Sequence, residues 1–209
     1  PLIPPPSFGG EIMRYNLTFA SRSQYTLTLP VDVEAGNRLV LTHLNNSTTS
    51  DLIGSVTDAR GNTWTVDMEQ HTVSNRNLNL ASCYVSTPLQ TGDVITVHLP
   101  ATMSIGGLGN LMLINNSTAV NAAYKNNGYS ASLSVPGTIT NAPAVLIGVT
   151  YSNNKTMTTP WTQVGSRFQL STYYYDIFYT VISTAGNVTF SGTLTPSGDT
   201  WQGIWAAYE

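Results

Sequence analysis

Charge is what this chain has least of: Asp, Glu, Lys and Arg make up 9% of its 209 residues, against about 25% in an ordinary soluble domain. Eleven acids against eight bases leave a net charge of −3. The bases are scattered, which argues against the clustered Lys and Arg that a nucleic-acid binder needs to neutralise phosphates. Cysteine is scarcer still. Cys83 is the single one, so an intrachain disulfide framework is excluded. It lies in an apolar pattern with Leu78, Leu80 and Val85 and reads as a small core residue, with no basic neighbour in the sequence to activate the thiol. Long hydrophobic runs are also missing: nothing approaches the roughly 20 apolar residues of a membrane span, so no membrane partner is expected. The opening Pro1-Leu2-Ile3-Pro4-Pro5-Pro6 does not read as a cleavable signal, which would begin with positive charge and continue with an apolar segment. Helical periodicity is absent as well.

What is present is period-two alternation punctuated by turn residues. Tyr25-Thr26-Leu27-Thr28-Leu29 alternates up to Pro30, and Arg38 to Leu44 follows Ala35-Gly36-Asn37. Asp93 to Leu99 is entered through Thr91-Gly92 and closed by Pro100. Further strands are expected at 62–66, 78–85, 111–114, 131–135, 144–151, 162–170, 172–182, 187–194 and 203–208. With 41% hydrophobic residues, the chain has enough apolar surface for a core without covalent staples. The reading is all-β: a two-sheet antiparallel sandwich, jelly-roll-like, formed by a single domain over 11–209. No repeat with a period of 20–50 residues stands out. Residues 1–10 form an extended proline-rich arm, because prolines at 1, 4, 5 and 6 remove backbone donors and fix extended conformations. Pro1, Leu2, Ile3, Pro4, Pro5, Pro6 and Phe8 are the residues through which such an arm would dock onto a neighbouring subunit.

Catalytic signatures are thin. There is no Gly-x-Ser-x-Gly elbow, and His43, His71 and His98 are far apart in sequence. His43 and His98 sit inside strand patterns, where a hydrogen-bonded structural role is the ordinary one. No His-x-His, His-Glu-x-x-His or Cys-x-x-Cys pairing suggests a metal. Asp51, Asp58, Asp67 and Glu69 around one loop system are the best calcium candidates, yet scattered solvated carboxylates are much commoner. No carboxylate pair is marked for glycoside hydrolysis. Gly106-Gly107-Leu108-Gly109 lacks the Lys-Ser/Thr of a phosphate loop and reads as a flexible loop. Neither enzyme activity nor a cofactor is expected.

The aromatics carry more information. Tyr173, Tyr174 and Tyr175 are followed by Phe178 and Tyr179; on a strand, alternate members face opposite sides, so some must point outward. Tyr173, Tyr174, Tyr175 and Tyr179 are therefore candidates for a subunit interface, where Tyr is enriched, or for a glycan contact shared with the Asn-rich loops 45–50 and 152–156. Trp201 and Trp205, four apart on the last strand, share one face and read as core.

Three stretches considered together suggest a family: Ser55-Val56-Thr57-Asp58-Ala59-Arg60-Gly61-Asn62-Thr63-Trp64; Gly92-Asp93-Val94-Ile95-Thr96-Val97; and Ala185-Gly186-Asn187-Val188-Thr189-Phe190 leading to Trp201-Gln202-Gly203-Ile204-Trp205-Ala206-Ala207-Tyr208. Their order over residues 38–208 resembles a loosely defined group of jelly-roll-like β-sandwich domains of bacteriophage structural proteins and bacterial surface proteins. The segment 111–118 departs from the pattern, lacking the acidic-aromatic strand of many such domains. The resembling motifs are turns and core positions, which specify fold far better than function. The resemblance implies a non-enzymatic virion protein, a capsid decoration (cement) or head/tail spike subunit. It would contact other virion proteins and form a homo-oligomer, a trimer being favoured. The alternative is a carbohydrate- or host-receptor-binding module on a virion fibre or a cell surface.

Overall fold

The computed structural model describes residues 4–17, 22–45, 53–72, 76–103, 107–153, 155–170, 173–196 and 199–209. The period-two segments form antiparallel strands throughout, in two series. The first comprises β1 (Ser7–Leu17), β2 (Arg22–Thr28), β3 (Arg38–Asn45), β4 (Ser55–Asp58), β5 (Trp64–Thr72), β6 (Arg76–Tyr84), β7 (Val94–Met103) and β8 (Gly107–Asn115). The second comprises β9 (Val120–Ser130), β10 (Ser132–Ile139), β11 (Ala144–Asn153), β12 (Thr156–Thr158), β13 (Thr162–Gln163), β14 (Phe168–Leu170), β15 (Tyr173–Ile182), β16 (Gly186–Thr195) and β17 (Asp199–Tyr208).

In the first series the sheet order β1-β8-β3-β6-β5 faces the order β2-β7-β4. In the second, β9-β17-β11-β15, with β13 and β14 alongside β15, faces β10-β16-β12. Replacing β1–β4 by β9–β12, β5 by β13 and β14, and β6–β8 by β15–β17 converts one arrangement into the other. The antiparallel sandwich legible in the sequence is thus present, and present twice. Each copy has the 1-8-3-6 and 2-7-4 connectivity of a jelly roll built from Greek keys. The fifth strand joins the sixth and widens the inner sheet.

The two sandwiches stack through their inner sheets, giving the layer order outer, inner, inner, outer. Three apolar clusters fill the gaps. Leu39, Leu41, Ala81 and Cys83 belong to the first sandwich, and Leu146, Phe178, Phe190 and Trp205 to the second. Val40, Leu44, Leu80, Val145, Ile147, Tyr175, Ile204 and Tyr208 form the shared middle layer. Alternate residues of β3 and β11 therefore enter different cores, and β3 is buried along its whole length. This is why the inner strands read as continuous apolar runs while the outer ones alternate. The outer strand β10 buries Leu133, Val135 and Ile139 and exposes Ser132, Ser134, Pro136 and Thr138.

Besides β4 and β12 at the edges of the outer sheets, the two longer edge strands β1 and β9 were not foreseen. They occupy equivalent outer positions in the inner sheets. The glycine stretch at 106–109 needs a correction: from Gly107 onward it is the start of β8, not a loop. A Cβ on Gly107 would enter the His43 ring, and one on Gly109 would meet the Thr42 carbonyl and the Tyr15 hydroxyl. The strand expected at 162–170 is divided into β13 and β14. Of the arm, Pro4–Pro6 have no regular structure, whereas Ser7–Gly10 already pair with β8; Pro1, Leu2 and Ile3 lie outside the described residues.

Candidate functional site at the loop-bearing end

The last residues of β1, β3, β5 and β7 and the first of β2, β6 and β8 lie at one end of the first sandwich. The interior facing that end is polar. Along β3, Leu39 and Leu41 give way at the next two same-face positions to His43 and Asn45; along β6, Cys83 and Ala81 give way to Asn79 and Asn77. His43, Asn45, Asn77 and Asn79 are all buried. A buried polar group costs about 1–3 kcal/mol unless bonded, and these are bonded to one another. Tyr15 Oη donates to the Thr42 carbonyl at 2.5 Å and lies 3.1 Å from Tyr25 Oη. Tyr25 Oη lies 2.7 Å from His43 Nδ1, and His43 Nε2 is 3.2 Å from Asn45 Nδ2. Asn77 Nδ2 donates to Asn45 Oδ1 at 3.5 Å, and Asn77 Oδ1 is 2.5 Å from Nδ1 of the half-buried His71. Asn79 Nδ2 caps the His43 carbonyl at 3.0 Å. Burial depresses His43 to about 4, so the ring is neutral at pH 7. Burial also raises the Tyr15 and Tyr25 hydroxyls far above the ordinary range.

Among the described residues, the second sandwich has no such set. Gly148, Thr150 and Ser152 occupy the same face of β11, and the rings of Phe190 and Trp161 fill the space over Gly148. Topology is duplicated while the interior chemistry has diverged.

Two further polar groups join the halves. On one edge, Asp67 accepts from Tyr208 Oη at 3.0 Å, beside Arg38, which donates to Ser82 and to the Thr118 carbonyl. Burial lifts the Asp67 carboxyl to about 6 despite these partners. On the other edge, buried Asp176 is paired with Arg167 at 2.9 Å and accepts from Gln163. Its carboxyl is raised because desolvation outweighs the guanidinium. Arg14 stacks 3.4 Å from the Phe168 ring centroid and donates to the Ser166 and Arg167 carbonyls.

The tyrosine cluster is split by the fold. Tyr175 is wholly buried in the shared core. Tyr173 packs against Tyr151, and Tyr174 lies beneath the Arg167 guanidinium at 4.6 Å. Tyr179 stacks on Phe8 with centroids 4.0 Å apart, so the one described aromatic of the arm docks on its own chain. Pro4, Pro5 and Pro6 line a shallow groove of about 400 Å³ with Asn116, Thr118, Ala142, Pro143 and Glu209. Of the calcium candidates, Asp58 and Asp67 belong to different hydrogen-bonded sets, and Asp51 lies outside the described residues. Cys83 is buried, and its thiol is pushed up to about 12 by desolvation. Sequence reasoning missed Tyr25 as the partner of His43, and Tyr15 as the partner of Tyr25. Only the position of each apolar-looking ring on an alternating strand could have pointed to them.

Two of the stretches that suggested the phage-type sandwich meet in space. Asp58 Oδ1 accepts from the Arg60 and Asn62 amides, and Oδ2 accepts from Trp64 Nε1 at 2.9 Å. Arg60 then reaches Asp93 at 2.7 Å. They form a turn-locking knot. Comparisons with protein-family models, with curated proteins and with solved structures returned no match.

Proposed function

We propose that this chain is a building block of a bacteriophage particle, a decoration or spike subunit that acts by packing against copies of itself and neighbouring virion proteins. The observation that carries this reading is the chemistry of the two outer sheets. Beyond the exposed Arg22 at the start of β2, the outward positions of β2-β7-β4 include Gln24, Thr26, Thr28, Val94, Thr96, His98, Ser55 and Thr57, and register aligns Thr26, Thr96 and Thr57 in one row. On β10-β16-β12, Ser132, Thr193 and Thr158 form a matching row, flanked by Ser134, Thr138, Asn187, Thr189 and Thr156. None of these positions is Asp, Glu, Lys or Arg. Both flanks of the four-layer stack thus present neutral hydroxyls and amides, which bring no like-charge repulsion when copies crowd together. The charges are held at turns and in the joint between halves. A glycan-binding role has less to draw on, since Tyr175 is in the core and Tyr179 lies against Phe8.

Light scattering of the purified chain tests this. A closed oligomer, a trimer being favoured, should persist from roughly 0.01 to 1 M salt, over which the screening length falls from about 30 to about 3 Å. A monomer at every concentration, or an oligomer dissolved by salt, would contradict it.

A further inference from the structure

The two ends of the four-layer stack differ in charge. Both sandwiches point the same way, since Phe8 meets Tyr179 towards one end and Gln70 meets Asn127 towards the other. At the turn-bearing end, opposite the polar interior, Asp32 and Glu34 lie between β2 and β3. Asp58 closes β4 there, Asp93 precedes β7 and Glu209 follows β17. Arg60 is the one exposed base among the described residues at that end, so acids predominate. The loop-bearing end has the opposite balance. Arg22 opens β2, Arg76 opens β6 and Lys155 follows β11, against Asp199 at the start of β17.

Apolar exposure follows the same axis. Among the described residues, the large apolar side chains left exposed are Val31, Tyr84, Tyr129 and Val181. Val31, Tyr84 and Val181 lie at the turn-bearing end, as does the groove lined by Pro4, Pro5, Pro6 and Pro143. Tyr129, 75% exposed, pairs with Thr200 at the loop-bearing end. We propose that copies of this chain associate head to tail, the basic loop-bearing end of one seating on the acidic turn-bearing end of the next, with Tyr129 as the apolar anchor. Two like ends brought together would set charges of one sign against each other, whereas unlike ends attract. An exposed tyrosine supplies the large, amphipathic contact area that dominates interfaces once it is covered. The occupant is a second copy because one chain carries both halves of the match. The contact is heterologous, and its two surfaces lie at opposite ends of the molecule, so it builds a column of copies. It uses strand ends and not the outer sheets, and is therefore independent of the flank contact proposed above.

Sedimentation velocity of the intact chain tests it. Particle mass should grow with protein concentration in about 0.01 M salt, and the growth should vanish in about 1 M salt, where the screening length is about 3 Å. The mass that remains at high salt reports the flank contact alone, which keeps the two proposals apart. Arg22→Glu combined with Lys155→Glu reverses the loop-bearing end at one exposed and one half-buried position. Alone, this variant should not grow at low salt, and its thermal midpoint should match the wild type. Its turn-bearing end is intact, so added to wild type it should cap the columns and shorten them in proportion to the amount added. Tyr129→Ala should raise the concentration needed for growth roughly tenfold. A wild-type mass indifferent to salt, a charge-reversed variant that still grows or fails to shorten wild-type columns, or unaltered growth in Tyr129→Ala would each overturn the proposal.

Discussion

At the scale of single residues, burial has moved two titrating groups in opposite directions, and their effects on stability oppose each other. His43 is held at about 4 against 6.5 for a free ring. As pH falls through that interval the unfolded chain takes the proton first, and stability declines. Asp67 is held at about 6 against 3.8; there the folded state takes the proton first, and stability rises as pH falls from about 6 towards 4. Each shift spans roughly two units, on the order of 3 kcal/mol, so the two contributions nearly cancel. Asp176, raised in the same direction as Asp67, adds to the acid-side gain. Asp67→Asn should remove the Asp67 gain. Urea denaturation at pH 7, 5.5 and 4 should then show the variant losing about 3 kcal/mol more than the wild type over that range. Parallel pH dependences would show that Asp67 does not titrate as a buried group.

At the scale of elements, the knot between the β4–β5 turn and β7 separates a half-buried interaction from an exposed one. Asp58→Ala strands the Trp64 indole N–H and the Arg60 and Asn62 amides at once, and should cost about 1–3 kcal/mol. Arg60→Ala removes an ion pair whose cation is 37% exposed, and should leave the thermal midpoint unchanged within error. Equal losses in the two variants would refute this hierarchy. Strands were legible in the sequence where one face is dry and the other wet, as in β2 and β7, or where both faces are dry, as in β11. β1 and β9 were not, because edge strands are half exposed on both faces and their alternation is blurred. The glycines opening β8 looked like a loop. What demands them is the ring of His43 and the hydroxyl of Tyr15, brought there by strands distant in sequence.

At the scale of the whole molecule, the duplication was hidden because the two halves share turns rather than side chains. Gly92-Asp93-Val94 and Gly186-Asn187-Val188 open β7 and β16 alike, both glycines at positive φ, and Trp64 and Trp161 lie at equivalent entries after β4 and β12. Between these signals the interiors differ, one polar towards its loops and the other packed with Trp161, Phe178, Phe190 and Trp201. The candidate site was legible only as a histidine in a strand pattern; its partners are a tertiary property. On the proposed reading, copies meet at the hydroxyl rows on the two flanks. Thr96, at the centre of one row, is half-buried with its side chain outward, so Thr96→Glu places one charge there while leaving all three cores untouched. Light scattering of wild type and Thr96→Glu at matched concentration is the most direct measurement. The expected result is an oligomer that weakens or dissociates in the variant while thermal stability is retained; an assembly of identical mass and affinity in both proteins would contradict the account.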